Sequence, residues 1–147
     1  YTTFLDMSPG NAPAIRNRSL VYRAKREYDL ALRDHLAAAQ AAPADSRNWN
    51  DAAHTMLLAR KPDEALTYLD KAIAIEPKRG LYHDNRALAY FQKQEWEDAE
   101  KHATIAISLE PANTFFLARR ALIRERRENW QEALADLNEA IRLKPDV

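Results

Sequence analysis

The stretch AIAIEP at residues 72–77 returns as AISLEP at 106–111 and as AIRLKP at 140–145. Each copy lies 34 residues after the last, and Pro43, Pro77, Pro111 and Pro145 keep that interval without an insertion. Two sets of alanines keep it as well: Ala31, Ala65, Ala99 and Ala133, and, seven residues on, Ala38, Ala72, Ala106 and Ala140. Seven residues is close to two helical turns, so both alanines of a repeat lie on one helix face, where a small side chain lets another helix approach. The proline that follows has no N–H to offer and stops the helix.

A second helix precedes the first in every repeat. Its contact point is again small: Ser19, Ala53, Ala87 and Ala121, each twelve residues before the first alanine. Between the two helices lie short polar stretches, KRE at 25–27, RKPD at 60–63, KQE at 93–95 and RENW at 127–130. Tyr28, Pro62, Trp96 and Trp130 occupy one register position after them; Pro62 suits a first helical turn, and the aromatics are expected to anchor the turn against the preceding helix. With only Gly10 and Gly80 as glycines, and apolar residues recurring every three or four positions, the chain reads as all-α, about eight helices in four helix-turn-helix repeats.

Composition narrows the function. Lys and Arg total 22, as do Asp and Glu, so there is no net attraction to nucleic acid or to an anionic membrane. No run approaches the roughly 20 apolar residues of a membrane span. The absence of cysteine removes disulfides and thiolate chemistry. His35, His54, His83 and His102 show no metal-ligand spacing and no nucleophile nearby, and no glycine-rich phosphate loop exists. Neither an active site nor a metal or cofactor is expected. Position 1 is Tyr and the first residues lack the pattern of a signal peptide, so the sequence reads as a piece of a longer protein, cytoplasmic by default or a periplasmic module.

The 34-residue period, with alanines at repeat positions 20 and 27 and proline at 32, resembles the tetratricopeptide repeat (TPR) family. The resemblance covers repeats 12–45, 46–79, 80–113 and 114–147, leaving 1–11 as an N-terminal extension. A large residue at position 4 of the second repeat (Trp49) and aromatics at position 11 (Tyr22, Tyr90) also fit, whereas the family's Gly at position 8 is replaced throughout by Ser or Ala, and Arg124 holds position 11 of the last repeat. A buried guanidinium needs a partner, so Arg124 is expected to reach a carboxylate or an exposed end.

The resemblance implies a right-handed α-solenoid whose first helices line a concave groove that takes a peptide or partner protein. Carried over by repeat position, the groove comprises Asn17, Asn50, His54, Leu81, Asn85, Leu88, Phe115, Arg119, Leu122 and Arg126. Leu81, Leu88, Phe115 and Leu122 would form an apolar strip, with Asn85, Arg119 and Arg126 as polar handles for peptide backbone and carboxylates. The subclass that clamps chaperone C-termini uses five positions that here hold Asn50, His54, Asn85, Phe115 and Arg119; only two match, and the lysines are missing. The arginine-rich RRALIRERR at 119–127 is interrupted by carboxylates and reads as a solvated, salt-bridged face rather than a nucleic-acid surface. The competing reading is structural. The last helix would leave Leu134, Leu137, Ile141 and Leu143 partly uncovered, fit for self-association or for docking to the rest of a larger protein through the C-terminal end.

Overall fold

The computed structural model describes residues 12–144; the N-terminal extension and Pro145 lie outside them. The described residues form eight α-helices: α1 (Ala12–Ala24), α2 (Tyr28–Ala41), α3 (Ser46–Leu58), α4 (Pro62–Ile75), α5 (Gly80–Lys93), α6 (Trp96–Leu109), α7 (Thr114–Arg126) and α8 (Trp130–Leu143). Two compact units divide after Pro77, the first holding α1–α4 and the second α5–α8. Each unit contains two repeats, and each repeat is an antiparallel helix pair.

The repeated alanines are the reason the pairs close. Ala31, Ala38, Ala65, Ala72, Ala99 and Ala106 are fully buried, as are Ser19, Ala53 and Ala87. With no side chain beyond Cβ, each leaves room for the opposing helix at little cost in ordering entropy. In the second unit Ala87, Ala99, Ala103 and Ile123 form one cluster, flanked by Tyr90 and Phe91.

Helix ends repeat as strictly as helix faces. Arg26, Arg60, Gln94 and Glu128, again 34 residues apart, all take a left-handed backbone with φ of 61–62°. The next residue's N–H reaches back across the turn in every repeat: Glu27 to Tyr22 O at 2.9 Å, Lys61 to Met56 O at 2.9 Å, Glu95 to Tyr90 O at 3.0 Å and Asn129 to Arg124 O at 2.9 Å. This is the Schellman closure, which satisfies carbonyls that the first helix leaves open. The second helices end differently. The N–H of Ala42, Glu76, Glu110 and Lys144 donates to the carbonyls of Ala38, Ala72, Ala106 and Ala140, and proline follows.

The glutamate of the repeated stretch has a further role. Ser46 Oγ donates to Glu76 Oε2 at 2.8 Å, and the Gly80 N–H donates to Glu110 Oε1 at 3.1 Å. Each carboxylate thus returns from the end of a repeat's second helix to the start of its first, where open N–H groups and the helix dipole favour negative charge. Gly80 is required by that approach. A Cβ there would lie 2.7 Å from Glu110 Oε1 and 2.8 Å from the ring of Phe116.

Of the turn aromatics, Trp96 packs edge-on against Phe91, centroids 5.3 Å apart, as anticipated for an anchor. Trp130 departs from that expectation and is 60% exposed. The position equivalent to Phe91 is Glu125, so the fourth repeat offers Trp130 no ring to pack against.

Candidate functional site

The first helices of each unit present one face each. On α5, Leu81, Asp84, Leu88 and Phe91 follow the three-four spacing of a helix stripe, and on α7 so do Phe115, Arg119, Leu122 and Arg126. Two contacts join the stripes. Arg119 Nε donates to Asp84 Oδ1 at 2.6 Å, and the Arg126 guanidinium lies 6.0 Å from the centroid of the Phe91 ring. Asp84 is 4% exposed. Burial pushes its carboxyl above the ordinary carboxylate range, and the hydrogen bond and charge of Arg119 pull in the other direction.

The first unit is built alike. Arg16 Nε on α1 donates to Asp51 Oδ2 on α3 at 2.6 Å, and Arg23 Nη1 lies 3.0 Å from His54 Nδ1. The two ion pairs occupy identical repeat positions with opposite polarity: Arg16 and Asp84 at position 5, Asp51 and Arg119 at position 6 of the following repeat.

The ten expected groove residues therefore separate. Leu81, Phe115 and Leu122 are exposed at 40%, 75% and 37%. Asn17 and Arg126 are also exposed, and Leu88 is half-buried. Asn50 and Asn85 are buried, at 6% and 5% exposure. His54 and Arg119 are half-buried and engaged with Arg23 and Asp84 respectively.

Four of the five arginines of 119–127, Arg119, Arg120, Arg124 and Arg127, are salt-bridged, as expected, but half-buried rather than solvated; Arg126 is exposed. Arg120 grips Asp136 through Nε and Nη2 at 2.9 and 2.6 Å, and Arg124 reaches the same carboxylate through Nη1 at 2.8 Å. Arg124 Nε also donates to Glu100 at 2.7 Å, and Arg127 joins Glu100 too. Side chains of Arg120 and Arg124 are only 16% and 17% exposed. The unusual arginine at position 11 is thus paired twice. Arg18 and Asp34 repeat the Arg120–Asp136 contact in the first repeat, at 2.7 and 2.8 Å.

The histidines sit in packing positions. His35 is fully buried, with Nδ1 3.2 Å from Ser19 Oγ, and burial lowers its pKa to about 4. His102 stacks with His83 and Tyr90 at centroid distances of 5.8 and 5.5 Å, and burial, reinforced by the charge of Arg86, lowers it to about 4. Among the described residues no group of three His, Asp or Glu side chains is placed to hold a metal ion, and no helix is long and apolar enough to cross a membrane.

α7 and α8 also leave an apolar surface, to which Phe115 and Leu122 contribute. Trp130, Leu134, Leu137 and Ile141 are 60%, 58%, 43% and 61% exposed, the leucines and isoleucine as the sequence anticipated. Two hollows of about 560 and 380 Å³ run along this face and share Ala118 and Leu137.

No family model matches the sequence, and no curated protein does. Solved structures do match. A thermophilic TPR protein of Thermus thermophilus, TTC0263, superposes with a TM-score of 0.87 at 18% identity, over 97% of this chain and 78% of its own. MamA superposes with a TM-score of 0.84 at 16% identity, over 99% and 85%. The second TPR of Spaghetti (RPAP3), solved with the HSP90 peptide SRMEEVD, is 28% identical over 67% of this chain and 92% of its own, with a TM-score of 0.64. Joined to the unbroken 34-residue period and the helix pairs it produces, these likenesses make the chain a tetratricopeptide-repeat protein by fold.

Proposed function

We propose that this protein is an interaction module that holds an extended peptide segment of a partner on the face formed by α5 and α7 of its second unit. One observation carries the reading: α5 and α7 display Leu81, Leu88, Phe91 and Arg126 on adjoining stripes while Asp84 and Arg119 fix the two helices to each other. An exposed apolar stripe beside a guanidinium suits a peptide that alternates an apolar side chain with a carboxylate. Arg119, already held by Asp84, positions the helices, and Arg126 is the contact for a carboxylate. In the first unit Asn17 is exposed on α1; Asn50 and Asn85 are buried and are not contacts for the peptide. The support from relatives is that the RPAP3 domain was solved with an acidic heptapeptide.

The test is a fluorescence-anisotropy titration against labelled heptapeptides that vary in one apolar and one acidic position, with SRMEEVD included. Leu81→Glu and Arg126→Glu should each weaken the best binder by roughly 10-fold or more, the scale of one lost apolar or charge-assisted contact. Circular dichroism should be unchanged, because both side chains are exposed. If both variants bind as well as the unaltered protein, the face has been misassigned.

A further inference from the structure

We infer that the outer face of α8 is a docking site for α1 of a second copy of this chain, so that copies join head to tail. This is independent of the peptide-binding reading. One repeat earlier, the equivalent face of α6 is covered by α7: Ile123 is fully buried in a cluster with Ala99 and Ala103, and Arg124 pairs with Glu100. On α8 the equivalents of Glu100 and Ala103 are Leu134 and Leu137, which are 58% and 43% exposed. The face that α6 hides is open on α8.

The matching surface is on α1. Val21 holds the repeat position of Ile123 and Thr55, both fully buried, yet it is 48% exposed. With α1 seated on α8 as α7 sits on α6, Val21 meets Leu137 where Ile123 meets Ala103, a shorter side chain against a longer one. Tyr22 stands where Arg124 does, and Leu134 where Glu100 does, so an apolar pair replaces an ion pair. Asn17 stands where Arg119 does, and Ala118 where Asp84 does. Both members change together at each of these positions; Lys25, which stands where Arg127 does, is exposed just past the end of α1 and keeps its charge in water beside Gln131 and Leu134. That pairwise match is what selects a second copy over an unrelated helix. Because the two surfaces differ, the contact is heterologous, and each added copy exposes a fresh α8 face.

Sedimentation velocity of the 147-residue chain tests this. Its average mass should rise with concentration over roughly 5 to 500 μM, a range suited to a contact of modest size. Val21→Glu removes one surface and Leu134→Glu the other. Each variant should shift association to at least roughly 100-fold higher concentration, since either leaves a carboxylate against an apolar wall. Both residues are exposed, so far-ultraviolet circular dichroism should not change. An equimolar mixture of the two variants retains one good α1 face and one good α8 face, and should stop at a dimer. Three outcomes overturn the proposal: a monomer at every concentration, self-association that survives in Val21→Glu, or a mixture that stays monomeric. The second of these would mean that α8 meets another α8.

Discussion

Replacing Asp136 with Asn should destabilise the second unit more than any other single loss of charge in it. The Asp136 side chain is 5% exposed and accepts three charge-assisted hydrogen bonds, two from Arg120 and one from Arg124. Asparagine keeps the shape but removes the charge, and it turns an N–H₂ toward one guanidinium. Breaking a buried pair costs about 3–5 kcal/mol, and serving two arginines puts Asp136→Asn near the upper end. Asp34→Asn is the internal control. Asp34 is as deeply buried but serves Arg18 alone, with two hydrogen bonds, so its loss belongs near the lower end. Glu100 still holds Arg124 when Asp136 is neutralised, which limits the difference between the variants to about 1–2 kcal/mol. Urea unfolding followed by circular dichroism measures both, and a melt should fall by roughly 10 °C for Asp136→Asn. The reasoning fails if Asp136→Asn costs less than about 1 kcal/mol, the value of an exposed pair, or if Asp34→Asn proves the more damaging.

Two further expectations follow from the packing. Gly80→Ala should destabilise by about 1–3 kcal/mol, because the new Cβ collides with Glu110 and the Phe116 ring; the loss should shrink in a Glu110→Ala background, and a stabilised Gly80→Ala protein would refute the account of that glycine. His35 should make stability depend on pH. Its folded pKa of about 4 lies below the unfolded 6.5, so between these values the unfolded chain takes up a proton that the folded one refuses. Stability therefore falls as pH drops from 6.5 toward 4, by on the order of 3 kcal/mol from this residue. His102, also lowered to about 4, adds a similar dependence, so His35→Leu should roughly halve the slope of unfolding free energy across that window, and an unchanged slope would contradict it.

The fold was legible because the period is unbroken: once alanine and proline recur every 34 residues, helix pairs and their facing sides follow from small side chains and a missing N–H. Arg124 was legible as a residue in need of a carboxylate, and it has two. The candidate site was less so. Repeat position names the helix face on which Asn85 and Arg119 lie, but whether a side chain there is free depends on what stands one period and one residue away. For Arg119 that residue is Asp84, and for Arg16 it is Asp51. This spacing of 35 was present in the sequence and is the signal that would have separated Arg119, a fixed strut, from Arg126. The role of Glu76 and Glu110 was hidden for another reason. The stretch that carries them reads as a helix ending, and their partners Ser46 and Gly80 lie 30 residues earlier, where only the folded pair brings them close.

The reversed polarity of the two ion pairs bears on how a repetitive chain finds its own order. Helices of like sequence invite exchange, and misassembly between similar repeats is a known failure of such arrays. Were α7 to take the place of α3 beside α1, Arg119 would meet Arg16. Were α3 to take the place of α7 beside α5, Asp51 would meet Asp84. Either error sets two like charges at contact distance in a half-buried position, so each first helix accepts its proper neighbour and rejects the impostor. The alanines and prolines make every repeat the same; these four charges tell the repeats apart.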